Sequence, residues 1–148
     1  MEQFDKEKAR RVWQRVQATN QPPTPEQDLA SLAAAEQAES GFCMQLSKGM
    51  QGQNSRFLRQ MAMEDGRQGQ MLRGICRMTG RPYPQKVPPL QTKGNLLQQL
   101  HLCYGRKMQM AAEYEKRGND PQFGHIFQRL AQQEQAHCRT LLAILGKL

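Results

Sequence analysis

Apolar residues recur along this chain at intervals of three and four, and no segment alternates with period two, so the pattern predicts helices throughout and no strands. Residues 2–18 form a charged amphipathic stretch with Phe4, Val12, Trp13 and Val16 near one side, broken by Asn20-Gln21-Pro22-Pro23. Thr24-Pro25-Glu26-Gln27 then restarts a helix: Thr24 as N-cap, Pro25 in the first turn, Gln27 closing a capping box. Leu29, Leu32, Ala33, Glu36, Cys43 and Leu46 continue it at helical spacing to about Gly49. A second helix is predicted from about Gln53 to Met78, with Phe57, Met61, Glu64, Met71, Leu72 and Ile75 on its stripe and Thr79-Gly80 as its stop. A third covers about 95–117. Gly118-Asn119-Asp120-Pro121 separates it from a fourth that runs to about Gly146.

Connection lengths select the topology. The first-to-second and third-to-fourth connections are short, which predicts two antiparallel hairpins. Between them, residues 81–94 carry Pro82, Pro84, Pro88 and Pro89. Extended at ~3.1 Å per residue, such a segment reaches roughly 40 Å, and a helix of about 25 residues is about 38 Å long. The segment can therefore run the length of a bundle, which favours one long crossover over an up-down-up-down arrangement. The expected fold is all-α: one domain over residues 1–148, with an N-terminal helix (1–20) and a four-helix bundle (25–146).

Each apolar stripe is interrupted near its middle by an ionisable residue: Glu36, Glu64, Lys107, and the pair Glu134 and His137. Desolvating a charge costs several kcal/mol unless a partner meets it, so residues at matching depth on four helices are expected to converge.

These residues carry a resemblance. Glu134-Gln135-Ala136-His137 resembles one Glu-x-x-His ligand motif of ferritin-like di-iron proteins, and Glu64-Asp65-Gly66-Arg67 resembles the other, with Arg in place of His. Glu36 with Cys43 seven residues on, LRGICRMTGRPY over 72–83, and Lys107 between Tyr104 and Tyr114 are similar to the first, second and third helices of bacterial rubrerythrin-like proteins. The resemblance covers about residues 27–146. It implies a ferritin-like antiparallel four-helix bundle whose residual metal ligands would be Glu36, Glu64, Glu134 and His137. Arg67 and Lys107 would occupy substituted ligand positions, and Glu39, Tyr104 and Tyr114 would be auxiliary.

Arginine and lysine donate hydrogen bonds and do not ligate metals while charged. The expected reading is a non-catalytic protein without cofactor, its core carboxylates neutralised by Lys107 and Arg67. Two others stay open: an oxidoreductase or peroxidase binding iron or another divalent metal through the residual ligands, and a basic helical interaction module. The net charge of +8 bears on the last. Basic residues are dispersed and aromatics make up only 6%, so nucleic-acid binding is expected to be weak and non-specific at most. Cys43, Cys76, Cys103 and Cys138 lie singly with no CxxC pair, and no apolar run approaches a membrane span. With no apolar signal stretch in MEQFDKEKARR, a cytoplasmic location with reduced thiols is expected, and no membrane partner. The resemblance adds a homodimer.

Overall fold

The computed structural model describes residues 6–11, 28–83 and 87–148. Among them every regular element is helical: α1 (Leu29–Lys48), α2 (Gly52–Met78), α3 (Leu96–Lys116) and α4 (Gly124–Leu145), with a further helical stretch at residues 6–11. The all-α expectation holds. Phe4, Val12, Trp13, Val16 and the Thr24–Gln27 capping box lie outside the described residues. At the start of α1 the capping side chain is that of Asp28, which accepts a hydrogen bond from the Ser31 amide at 2.7 Å.

The chain forms two compact units, Gln27–Cys103 and Met1–Glu26 with Tyr104–Leu148. In the first, α1 and α2 make an antiparallel hairpin joined by Gly49–Gln51. Contacts run in opposite directions along the two helices: Ser55 Oγ donates to the Ser47 carbonyl at 2.8 Å, and Ser40 Oγ to the Ala62 carbonyl at 2.7 Å. Small residues set the closeness of approach. A Cβ on Gly69 would stand 3.5 Å from both the Ala33 carbonyl and Glu36 Cβ. Leu29, Leu32, Ala33, Leu46, Leu58, Met61, Ala62, Leu72 and Ile75 are buried along these helices, each large aliphatic contributing roughly 1.5–3 kcal/mol by leaving water.

Helix ends follow local chemistry. α2 stops at Thr79 in a Schellman turn: Gly80 takes φ +70°, its amide donates to Arg77, and the Arg81 amide donates to Cys76. Asn95 and Gln98 close a reciprocal capping box at the start of α3, each amide donating to the other's side-chain oxygen, at 2.9 and 3.1 Å. Between these ends the described residues of 81–95 are non-helical.

In the second unit the C-terminal part of α3 pairs antiparallel with α4. Tyr114 stacks on Phe127 with centroids 6.5 Å apart, and the Arg117 guanidinium lies over the same Phe127 ring. Asp120 Oδ1 accepts from the amides of Gln122 and Phe123 at 2.9 and 2.8 Å, which organises the turn, but α4 proper begins only at Gly124. The 6–11 stretch meets this unit through Arg10, whose guanidinium pairs with Glu115 at 3.1 Å on the surface.

Glycine at 124 is required sterically. A Cβ there would lie 2.5 Å from the Gly118 carbonyl oxygen, a backbone atom that no rotamer change can move. Gly105, with nothing within 4 Å, has open space in a helix interior. We expect Gly124→Ala to lower stability by about 1–3 kcal/mol and Gly105→Ala to raise it by up to about 1 kcal/mol. Thermal melts of the two variants test the opposite signs; equal shifts would contradict the contact.

Candidate functional site

Lys107 is fully buried near the middle of α3. Its ammonium lies 3.3 Å from Glu134 Oε2 and 3.1 Å from His137 Nδ1. Glu134 and His137, three residues apart on α4, share one helix face, and both are buried. The imidazole is oriented from its other nitrogen by Gln133 Nε2, 3.2 Å from His137 Nε2. If Lys107 donates to Nδ1, that nitrogen carries a lone pair and the ring proton sits on Nε2, so Gln133 can accept it only with its amide turned to present Oε1.

Around this group the environment is dry. Cys138 follows His137 directly and its thiol is pushed up to about 12, first by burial and then by the neighbouring Glu134 carboxylate. Tyr104 is half-buried; burial raises its hydroxyl, with Cys138 a further contributor. Its backbone carbonyl accepts from the Cys138 thiol at 4.0 Å. Tyr114 is completely buried and spends its ring on Phe127.

The α1–α2 hairpin holds a second polar group. Glu36 and Asp65 are both at 0% exposure. With its amide nitrogen turned toward them, Gln68 donates to Glu36 Oε2 at 3.0 Å and to Asp65 Oδ1 at 3.3 Å. Glu39, one turn after Glu36, is also buried and accepts the Cys103 thiol at 3.5 Å.

On α2 the register differs from the sequence expectation by one residue. Asp65 is the fully buried carboxylate, whereas Glu64 is half-buried and Arg67 is exposed. The buried positions run Leu58, Met61, Ala62, Asp65, Gly69, Leu72 and Ile75, while Met71 is 45% exposed and Phe57 only half-buried. Of the two cations expected among the carboxylates, Lys107 is inside and Arg67 lies at the surface, where its guanidinium keeps its hydration. Counting Met71 and Phe57 as core turns α2 by one residue and hides Asp65 and Gln68. The heptad Leu58–Asp65–Leu72 was the signal that places Asp65 inward. His101 and His125 are exposed, as expected of surface histidines.

A carboxylate, an ammonium and an imidazole in this order can hold a proton and fix charge. Lys107 Nζ lies against Glu134 Oε2 and His137 Nδ1, two atoms of the kind that ligate a cation. Compared with protein-family models, curated proteins and solved structures, the chain finds no match in any of the three. No helix among the described residues is long and apolar enough to cross a membrane.

Two outcomes follow. Removing one member of a buried charge pair costs about 3–5 kcal/mol because the remaining charge stays desolvated. Lys107→Met should therefore destabilise the protein by that order in denaturant melts, although methionine suits the apolar stripe; a neutral effect would mean that the ammonium is not needed inside. The Cys138 thiol titrates higher folded, at about 12, than its ordinary 9.0. Its protonated form is thus favoured by folding, and that contribution is complete below about pH 9 and is lost as the pH climbs toward about 12. Wild type should lose more stability over this range than Cys138→Ala, and parallel pH curves would contradict the assignment.

Proposed function

We propose that this chain is a rubrerythrin-related, ferritin-like four-helix protein with one long crossover, non-catalytic and without cofactor, in which a tethered ammonium stands where relatives of that pattern hold metal. The observation that carries the reading is the fully buried Lys107 Nζ, 3.3 Å from Glu134 Oε2 and 3.1 Å from His137 Nδ1.

In the ligand pattern that residues 134–137 resemble, Glu and His supply lone pairs to a divalent cation. Lysine supplies positive charge to those same atoms by donating hydrogen bonds. It offers no open coordination position and no redox couple. The donor set therefore does not fit a di-iron group, and no step of an iron-dependent reaction is assigned to it. What the arrangement supplies is charge balance inside a helical core: the ammonium offsets Glu134. Arg67, being exposed, takes no part in this balance.

The test is metal content and its consequence. Protein purified without chelator or affinity tag should contain no stoichiometric iron, and added iron(II) should leave the wild-type Tm unchanged. Lys107→Glu should be less stable than wild type when metal-free, because it adds a carboxylate beside Glu134, and added iron(II) should recover part of that loss. Two metals per wild-type chain, with crystallographic density on Glu134 and His137, would overturn the reading.

A further inference from the structure

Four cysteines are buried, but they do not share one environment. Cys76 and Cys138 sit where burial raises the thiol pKa. Cys43 and Cys103 instead face carboxylates. The Cys103 thiol donates to Glu39 Oε2 at 3.5 Å, and the Cys43 thiol lies 4.0 Å from Asp65 Oδ2. Glu39, Cys43 and Cys103 each place one ligand atom within 4.8 Å of the others. Exposure is 2% at Glu39 and 0% at Cys43, Cys103 and Asp65.

From this we infer that Glu39, Cys43 and Cys103, with Asp65 as fourth ligand, form a binding site for a thiolate-preferring divalent cation of the zinc class. The placement follows from the helices. Glu39 and Cys43 are four residues apart on α1 and so point from the same face. Cys103 comes from α3, so three donors converge from two helices within one compact unit, and Asp65 on α2 brings its Oδ2 to 4.0 Å from the Cys43 sulfur.

Geometry and chemistry agree on the class of ion. With Zn–S near 2.3 Å and Zn–O near 2.0 Å, a sulfur and an oxygen sharing a tetrahedral zinc stand roughly 3.5 Å apart. The Cys103–Glu39 separation already has that value, and the Cys43–Asp65 separation needs to close by about half an ångström. Two sulfurs disfavour magnesium and calcium, which take oxygen ligands, and two carboxylates disfavour copper(I), which takes soft ones. Binding exchanges the two thiol protons, released to solvent, for one dication, with no change of oxidation state. Gln68 donates to Asp65 Oδ1, and Oδ2 lies 4.0 Å from the Cys43 sulfur. The proposal rests on Glu39, Cys43 and Cys103, none of which belongs to the Lys107, Glu134 and His137 group, so it does not depend on the function proposed above.

Cobalt(II) is the probe, because thiolate-to-cobalt charge transfer in the near ultraviolet and strong visible bands report tetrahedral sulfur coordination. Full-length reduced protein should develop both on titration with one equivalent of cobalt(II), and zinc(II) should bleach them. Cys76→Ala and Cys138→Ala should keep the signal. Cys43→Ala/Cys103→Ala should abolish it, and Glu39→Gln should weaken binding by about tenfold or more. Should the cysteine variants fail to fold, X-ray absorption of the zinc-loaded wild type decides independently: two sulfur neighbours are expected. Absence of the charge-transfer band in reduced wild type, its survival in the Cys43/Cys103 variant, or a zinc shell of nitrogen and oxygen alone would each overturn the proposal. Iron found at Glu134 and His137 would count against the previous section and leave this one standing.

Discussion

An ammonium group that no water reaches must be surrounded by atoms that accept its charge, and Lys107 imposes that condition on its hairpin. Lysine is almost never completely buried without a partner. Here its partners include one oxygen of Glu134 and one nitrogen of His137, and their positions restrict much else. Because each residue turns a helix by about 100°, slipping α3 by one position against α4 would swing the ammonium away from both. The same contact thus selects the register in which Tyr114 reaches Phe127 and the Cys138 thiol reaches the Tyr104 carbonyl. Apolar packing alone, which tolerates many registers, does not have that selectivity.

The α1–α2 hairpin meets the same difficulty with different means. Its buried acids, Glu36 and Asp65, are bridged by one neutral amide, Gln68. The helices approach closely where Ala33, Ser40, Ala62 and Gly69 face one another, and the one hydroxyl in that contact is spent on the Ala62 carbonyl. Short side chains bring backbones together, and close backbones leave room for few polar groups, so each must be satisfied by a neighbour within a turn or two.

How much of this could be read from residues alone depended on how unambiguous the apolar markers were. On α1, leucine and alanine alternate with Glu36 and Cys43 at clean helical intervals, and all the residues assigned to its stripe are buried. On α4, Leu130, Glu134, His137 and Leu141 behave the same way. α2 differs because four of its apolar residues are methionines, Met61, Met63, Met71 and Met78. Met63, Met71 and Met78 are 48%, 45% and 69% exposed. An unbranched, flexible thioether tolerates the surface as well as the core, so methionine marks the inward face poorly. Counting Met71 inward rotated the helix by one residue, which promoted Glu64 and Arg67 and hid Asp65. Buried glutamine and glycine, Gln68 and Gly69, carry no apolar signal at all. Helix limits were legible where a glycine demands positive φ, as at Gly80, and shifted where competing caps were available, as at Asp120 before Gly124.

The cysteines show why pairwise spacing is a weaker guide to chemistry than to structure. Glu39 and Cys43 stand four residues apart in sequence, but an acid and a thiol on one helix face have no fixed meaning. The meaning depends on what a third and a fourth helix bring, and Cys103 and Asp65 lie far away in sequence. A lysine tethered inside a core and a dication bound there both solve the desolvation of buried carboxylates. They differ in what the cell can change. The tethered charge is present whenever the chain is folded, so it contributes stability at all metal concentrations and responds only to pH. A bound ion contributes RT ln(1 + [M]/Kd), which grows with supply and vanishes on depletion. A chain that carries the first arrangement at Glu134 and His137, and a donor set suited to the second at Glu39, Cys43 and Cys103, would keep one part of its structure constant while making another answer to metal.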